Sequence, residues 1–190
     1  MRYSEEHKAQ THRRIIEEAS RLFRRDGVGA TGLQPLMKTL GLTHGGFYAH
    51  FKSKNDLVET ALRHAAEQID GVTAEMQNSE RPLDSLINRY LSKSHREDPG
   101  NGCPLPTISA ELGQRGEPSA TTDQVIRKRL AMIEASLEGE DAPEQSMLML
   151  STLVGALLLS RSASDPELAE RLLQAPRQLL LQQVAAREEA

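Results

Sequence analysis

Leu42-Thr43-His44-Gly45-Gly46-Phe47-Tyr48-Ala49-His50-Phe51-Lys52-Ser53-Lys54 decides how the chain is read. Phe47 and Phe51 stand four apart, one helical turn, and use two of the chain's three phenylalanines to fix this segment to a core. Gly45 and Gly46 each cost a helix about 1 kcal/mol relative to Ala, with no packing return evident, and bare backbone allows a large partner to come close. Thr43, His44, Tyr48, His50, Lys52 and Lys54 are nearly all hydrogen-bond donors and none is acidic, which suits phosphate oxygens and base edges.

Outward from this segment the apolar residues recur at helical spacing, and no stretch alternates as a half-buried strand does, so an all-α fold of about nine helices is expected. Ile15, Ile16, Ala19, Leu22 and Phe23 make the stripe of a first helix, ended by Gly27. Leu33, Leu36, Met37 and Leu40 predict a short second helix, with Thr31 and Gln34 at capping-box spacing, Pro35 in its first turn and Gly41 as its stop. Thr43 caps the third helix. Three helices in about fifty residues, the second and third short and joined through Gly41-Leu42, describe a helix-turn-helix.

Ser53 and Asp56 open a long helix reaching about Asn78, and Leu83 to Leu91 make the next. Ser94 to Gly102, with Pro99, Gly100, Asn101 and Gly102, reads as a loop, followed by a short helix ending near Gly113. Ser119 to Glu138 predicts a further helix. Asp141 with Glu144 repeats the capping-box spacing for an apolar helix, and Asp165-Pro166 opens the last, which Pro176 is expected to kink or divide.

The formal net charge of −4 hides an asymmetry. Residues 1–64 carry 11 Lys and Arg against 7 Asp and Glu, a net +4, while residues 65–190 carry 12 against 20, a net −8. Such a split points to a nucleic-acid-binding module joined to an acidic one, here 1–53 and 54–190. A single cysteine, Cys103, rules out an internal disulfide framework and agrees with a reducing cytoplasm. Met1 to Gln10 is polar, so no secretion leader is expected. The most apolar run, Met147 to Leu159, is shorter than the roughly 20 residues of a bilayer span, so no membrane partner is expected. An enzyme is not expected either: there is no metal-spaced His/Cys cluster, His7 and His12 lie off one helical face, and neither a nucleotide-binding glycine loop nor a Ser/His/Asp set is seen. No cofactor is called for.

The run from Leu42 to Lys54, followed by Asn55-Asp56-Leu57 and preceded by Phe23, Gly27, Ala30-Thr31 and Leu40-Gly41, resembles the signature of the TetR/AcrR transcriptional regulators over about residues 10–62. The resemblance implies a homodimer with DNA-binding heads below a ligand domain, binding a palindromic operator and released by a small effector. By position it places Thr43, His44 and Gly45 in the major groove and Thr31, Tyr48, His50 and Lys54 on phosphates. His44 departs from the Arg or Ser frequent near that position, which leaves base preference open.

In the second segment, Met147 to Leu159 is apolar on nearly every side and must be covered on every side. One face can pack within its own domain and the other against the same helix of a second subunit, with Leu150, Leu153 and Leu157, and Leu172 and Leu179 of the last helix, as candidate dimer residues. Met76, Tyr90, Met132 and Ile133 are either effector-pocket walls or plain core, and few charges among them imply a mostly apolar effector. Cys103, in Gly102-Cys103-Pro104-Leu105, is either a small buried hydrophobe or a redox- or electrophile-sensitive thiol, as a similar Gly-Cys is in some repressors of the resembled family. A helical adaptor acting only through protein contacts is the remaining rival.

Overall fold

The computed structural model describes residues 5–188, which form helices and turns with no strand among them. In order these are α1 (Glu5–Asp26), α2 (Leu33–Thr39), a 3-10 helix (His44–Ala49), α3 (Lys54–Gln77), α4 (Pro82–Tyr90), α5 (Lys93–Glu97), a 3-10 turn (Pro99–Asn101), a π-turn (Leu105–Ser109), α6 (Ala110–Gln114), α7 (Ala120–Glu134), α8 (Ala142–Ser162) and α9 (Pro166–Glu188). Packing divides them into two units. The first joins the described part of Met1–Gln68 to Gly100–Thr121, and the second joins Ile69–Pro99 to the described part of Thr122–Ala190. The expected division after residue 53 follows the helix-turn-helix; packing instead takes the first half of α3 and a later segment into the head.

The head is built on Ile15, Ala19 and Phe23 of α1, Leu36 and Met37 of α2, Phe47, Phe51, and Leu57, Val58, Ala61 and Leu62 of α3, all buried. Gly27 ends α1 at φ +92° and Gly41 ends α2 at φ +71°, both in the left-handed region that favours glycine. The segment 100–121 adds Cys103, Leu105, Ile108 and Leu112 to this core. Gly100 lies so close to α1 that a Cβ there would meet Arg21 Cγ at 3.2 Å. Arg24 is buried, and its guanidinium donates to the carbonyls of Ser20 (3.1 Å) and Gly102 (3.1 Å) and to Gln68 Oε1 (2.8 Å), tying α1 to both other parts of the unit.

In the second unit α8 lies along α9, and α4 and α5 pack against them. Ser160 donates its buried hydroxyl to the Ala169 carbonyl (2.8 Å), fixing the α8–α9 turn. The second half of α3 is held to α7 by Asp70, which pairs with Lys128 (2.6 Å) and the buried Arg129 (2.9 Å).

Several local expectations need correction. Thr31 does not cap α2: it is buried and its hydroxyl donates to the Gly27 carbonyl (2.8 Å), while Gly32 takes the N-cap place without a side-chain bond. The reason is Pro35, which then occupies the third helical position and has no N–H for a cap to satisfy. Asp141 flanks α8 but makes no cap bond, because Arg187 and Gln145 take its carboxylate. The stretch expected as a loop from Ser94 contains α5, opened by the Ser92 hydroxyl accepting from the His95 N–H (3.1 Å) and closed by Arg161, which donates to the carbonyls of His95 (2.6 Å) and Arg96 (3.2 Å). Pro176 does not divide α9, since Ala169, Leu173, Leu180 and Val184 continue one buried stripe across it. Finally, α8 has 21 residues and its most apolar 18-residue window has a mean hydropathy of 1.3, so by length and composition it could cross a bilayer, which the 13-residue run did not suggest. Its buried stripe carries Ser146 before and Ser160 after Met149, Leu153 and Leu157, the pattern of a helix packed in protein.

Candidate nucleic-acid interface

Thr43 opens the 3-10 helix, its hydroxyl accepting from the Gly46 N–H (3.2 Å). Phe47 and Phe51 are buried and stack with ring centroids 5.5 Å apart, so the helix is anchored by one face. The opposite face carries Thr43, His44 and Gly45, all exposed, and Tyr48, which is 61% exposed and held edge-on between Phe47 (5.2 Å) and His44 (5.9 Å). A Cβ added at Gly45 would meet nothing within 4 Å, so this glycine answers no demand of the fold. Gly46 does: a Cβ there would lie 3.3 Å from Thr43 Oγ1, in the space the cap uses, which corrects the expectation that neither glycine has a packing role.

No acidic residue stands between Asp26 and Asp56 in the sequence. The Asp56 carboxylate accepts from the Lys52 N–H (2.9 Å), while its own N–H donates to Ser53 Oγ (3.1 Å), a variant of the capping box that starts α3. Lys52 is exposed. Lys54, expected on a phosphate, is half-buried and donates from Nζ to the Val28 carbonyl (2.6 Å); burial, with Arg115 nearby, pulls its ammonium below the usual lysine range. Thr31, expected likewise, is 7% exposed and spends its hydroxyl inside the turn that Lys54 also holds. His50 is half-buried beside His12.

Sequence reasoning missed Glu111. Its carboxylate accepts from the N–H groups of Val28 (2.5 Å) and Gly29 (2.6 Å) and pairs with Arg115, so α6 clamps the turn leading into α2. The spacing Gly27-Val28-Gly29 was the available signal: Cβ atoms at Gly27 and Gly29 would come within 2.9 Å and 2.7 Å of Glu111 oxygens.

The candidate effector residues do not form one group. Met76 and Met132 share a small cleft in the second unit with Thr73, Gln77, Pro82, Leu83, Leu86 and Ser136, whose enclosed space of about 10 Å³ suits one water. Ile133 is buried in core, and Tyr90 lies against His95 with ring centroids 4.8 Å apart, outside the cleft lining. Cys103 belongs to the head and is 4% exposed, which suits a small buried hydrophobe. Of the candidate dimer residues, Leu150, Leu153 and Leu157 are buried within the chain, Leu172 is half-buried and Leu179 is 65% exposed. The apolar side chains left open are others: Met147, Leu148, Leu158 and Leu159 on α8 and Leu168 on α9. An all-apolar helix gives no periodicity from which to tell its inner face from its outer one.

Residues 15–61 match the family described as bacterial regulatory proteins, tetR family. An uncharacterized HTH-type transcriptional regulator of Mycobacterium tuberculosis, Rv0196, is 25% identical over 92% of this chain and 96% of its own length. The HTH-type transcriptional repressor Rv1474c of the same organism is 28% identical over 86% of this chain and 89% of its own. A crystal structure of a TetR transcriptional regulator from Chloroflexus aurantiacus superposes with a TM-score of 0.75 at 23% identity, covering 92% of this chain and 96% of that one. The segment matched, 15–61, is the one whose buried face anchors the His44–Ala49 helix and whose open face carries its donors, and over these residues the chain is similar to the helix-turn-helix of bacterial regulatory proteins of the tetR family.

Proposed function

We propose that the chain is a cytoplasmic, homodimeric repressor that reads a palindromic operator with the His44–Ala49 helix of each subunit and leaves it when a small, mostly apolar effector binds. The observation that carries the reading is the open donor face of that helix, with Gly45 free of any packing duty and no carboxylate within reach in sequence. Thr43 and His44 are assigned to base edges, and Tyr48, Lys52 and His50 to phosphates. Repression is favoured by the full-length likeness to a relative named a repressor.

Dimerisation is assigned to the open apolar side chains of α8 and α9, Met147, Leu148, Leu158, Leu159, Leu168 and Leu179, which a second copy covers across a two-fold axis. A protein partner fits this face better than lipid because only Met147, Leu148, Leu158 and Leu159 of the helix are apolar and exposed, with Ser151 and Ser162 exposed among them. The cleft at Met76 and Met132 is the assigned effector site, which must widen to admit more than water. Met76 sits in the last turn of α3 and Lys54 in its first, so the cleft and the turn beside the reader share one continuous helix. A coupling of about 1–3 kcal/mol is typical for such an arrangement and is enough to vacate an operator.

A gel shift on the DNA upstream of the chain's own gene tests the reading. A shifted band abolished by His44→Ala supports it, and no shift at low salt with folded protein overturns it in favour of a protein-only adaptor.

A further inference from the structure

We propose that His12 and His50, flanked by Lys8, form a phosphate site on the head that takes up a proton as DNA binds, so that DNA affinity rises as the pH falls; the inference rests on the DNA-binding reading above. His12 lies on α1, outside the helix-turn-helix, and stacks on Phe51 with centroids 4.6 Å apart and planes 17° from parallel. This fixes the plane of its ring and leaves the nitrogens at the ring edge. The His50 ring is 5.9 Å away, contributed from the residue that ends the His44–Ala49 helix, two positions after Tyr48 in sequence. Lys8 is one turn before His12 on the same face of α1.

Among the described residues no hydrogen bond or ion pair engages the side chains of Lys8, His12 or His50. From α1 the groups whose fields reach His50 are His12 and Lys8, and both oppose its charge. At the start of α3 the carboxylate of Asp56 is committed to the Lys52 amide. Burial first, then His12 and Lys8, hold the His50 imidazole below its ordinary range, so it is neutral in the free protein near pH 7. Three potential cations gathered without an anion are a site waiting for one, and a DNA phosphate set between the imidazoles reverses the field. Its negative charge favours the imidazolium, which then donates from nitrogen to phosphate oxygen. The proton comes from the buffer and returns to it on release.

The test is anisotropy of a labelled mixed-sequence duplex of about 30 base pairs, long enough for two half-sites, titrated with the full chain at low salt between about pH 8 and about pH 6. The wild type is expected to bind at least about tenfold tighter at the acid end, as uptake of one proton permits. The His12→Gln/His50→Gln chain, which lacks the His50 phosphate contact, is expected to bind more weakly than the wild type and with no pH slope. Calorimetry of the wild type in two buffers of different ionisation enthalpy keeps the test independent of how that variant folds, and it should register proton uptake. Binding with no pH slope, a slope retained in the double variant, or no proton uptake overturns this inference and leaves the DNA reading standing. No binding at either pH overturns both.

Discussion

At Gly45 the demands of fold and function part company. Nothing lies within 4 Å of where its Cβ would be and its φ is not positive, so Gly45→Ala should leave the melting temperature unchanged or raise it, in line with the roughly 1 kcal/mol helical preference for Ala. The same methyl group stands on the face assigned to the groove, so DNA affinity should fall by about tenfold or more; equal affinity would remove Gly45 from the interface. Tyr48→Phe deletes one exposed hydroxyl and should weaken binding to all sequences alike, by about 1 kcal/mol, whereas His44→Ala should change which sequences are preferred. Competition assays against a panel of duplexes separate the two effects. Of the residues assigned to DNA from sequence, Thr43, His44, Gly45 and Tyr48 are on the open face, because one helical turn fixes their direction relative to Phe47 and Phe51. Thr31 and Lys54 turned inward for reasons outside their own turn: the Gly27 and Val28 carbonyls claim them.

Among the elements, those whose ends are fixed by neighbours in sequence were legible. Thr43, Ser53 and Asp165 cap as their spacing implies, and Gly27 and Gly41 stop their helices. Ser53→Ala should cost about 1 kcal/mol in thermal or denaturant unfolding; no change would mean the Asp56 side of the box suffices. Elements fixed from afar were not legible. The α5 helix depends on Arg161, 65 residues away, for its closing carbonyls, and the turn before α2 depends on Glu111. Glu111→Gln keeps the shape but removes the charge that holds two N–H groups and Arg115. It should speed amide exchange at Val28 and Gly29 while leaving that of buried α1 amides unchanged.

For the molecule as a whole, the sequence showed that α8 needs covering on both sides but not which side is which, since an apolar residue at nearly every position carries no phase. Packing supplies the answer and with it a contrast. Leu153→Ala should destabilise the chain by about 2–5 kcal/mol, because it opens a cavity in the core. Leu148→Glu or Leu159→Glu should leave each chain folded but abolish the dimer in sedimentation; a dimer that survives both would move the partner face elsewhere. Stability should also depend on pH through His95, whose ring is buried against Tyr90, donates from Nδ1 to the Tyr90 carbonyl (2.8 Å) and has Arg161 near it. Burial, with Arg161, lowers its pKa from 6.5 to about 4. The unfolded chain therefore binds this proton more tightly across that window, and stability should fall as the pH drops through it, by about 3 kcal/mol at the acid end. Denaturant titrations of His95→Gln should lose this slope.

The central claim is that the open face of the His44–Ala49 helix holds double-stranded DNA. Titrating a labelled duplex from the region upstream of the chain's own gene, at several salt concentrations, tests it most directly. The claim predicts tight binding whose log affinity falls linearly with log salt, with His44→Ala losing the preference for that duplex over unrelated DNA. Folded, dimeric protein that ignores the duplex at low salt, or a His44→Ala chain with unchanged preference, would contradict it.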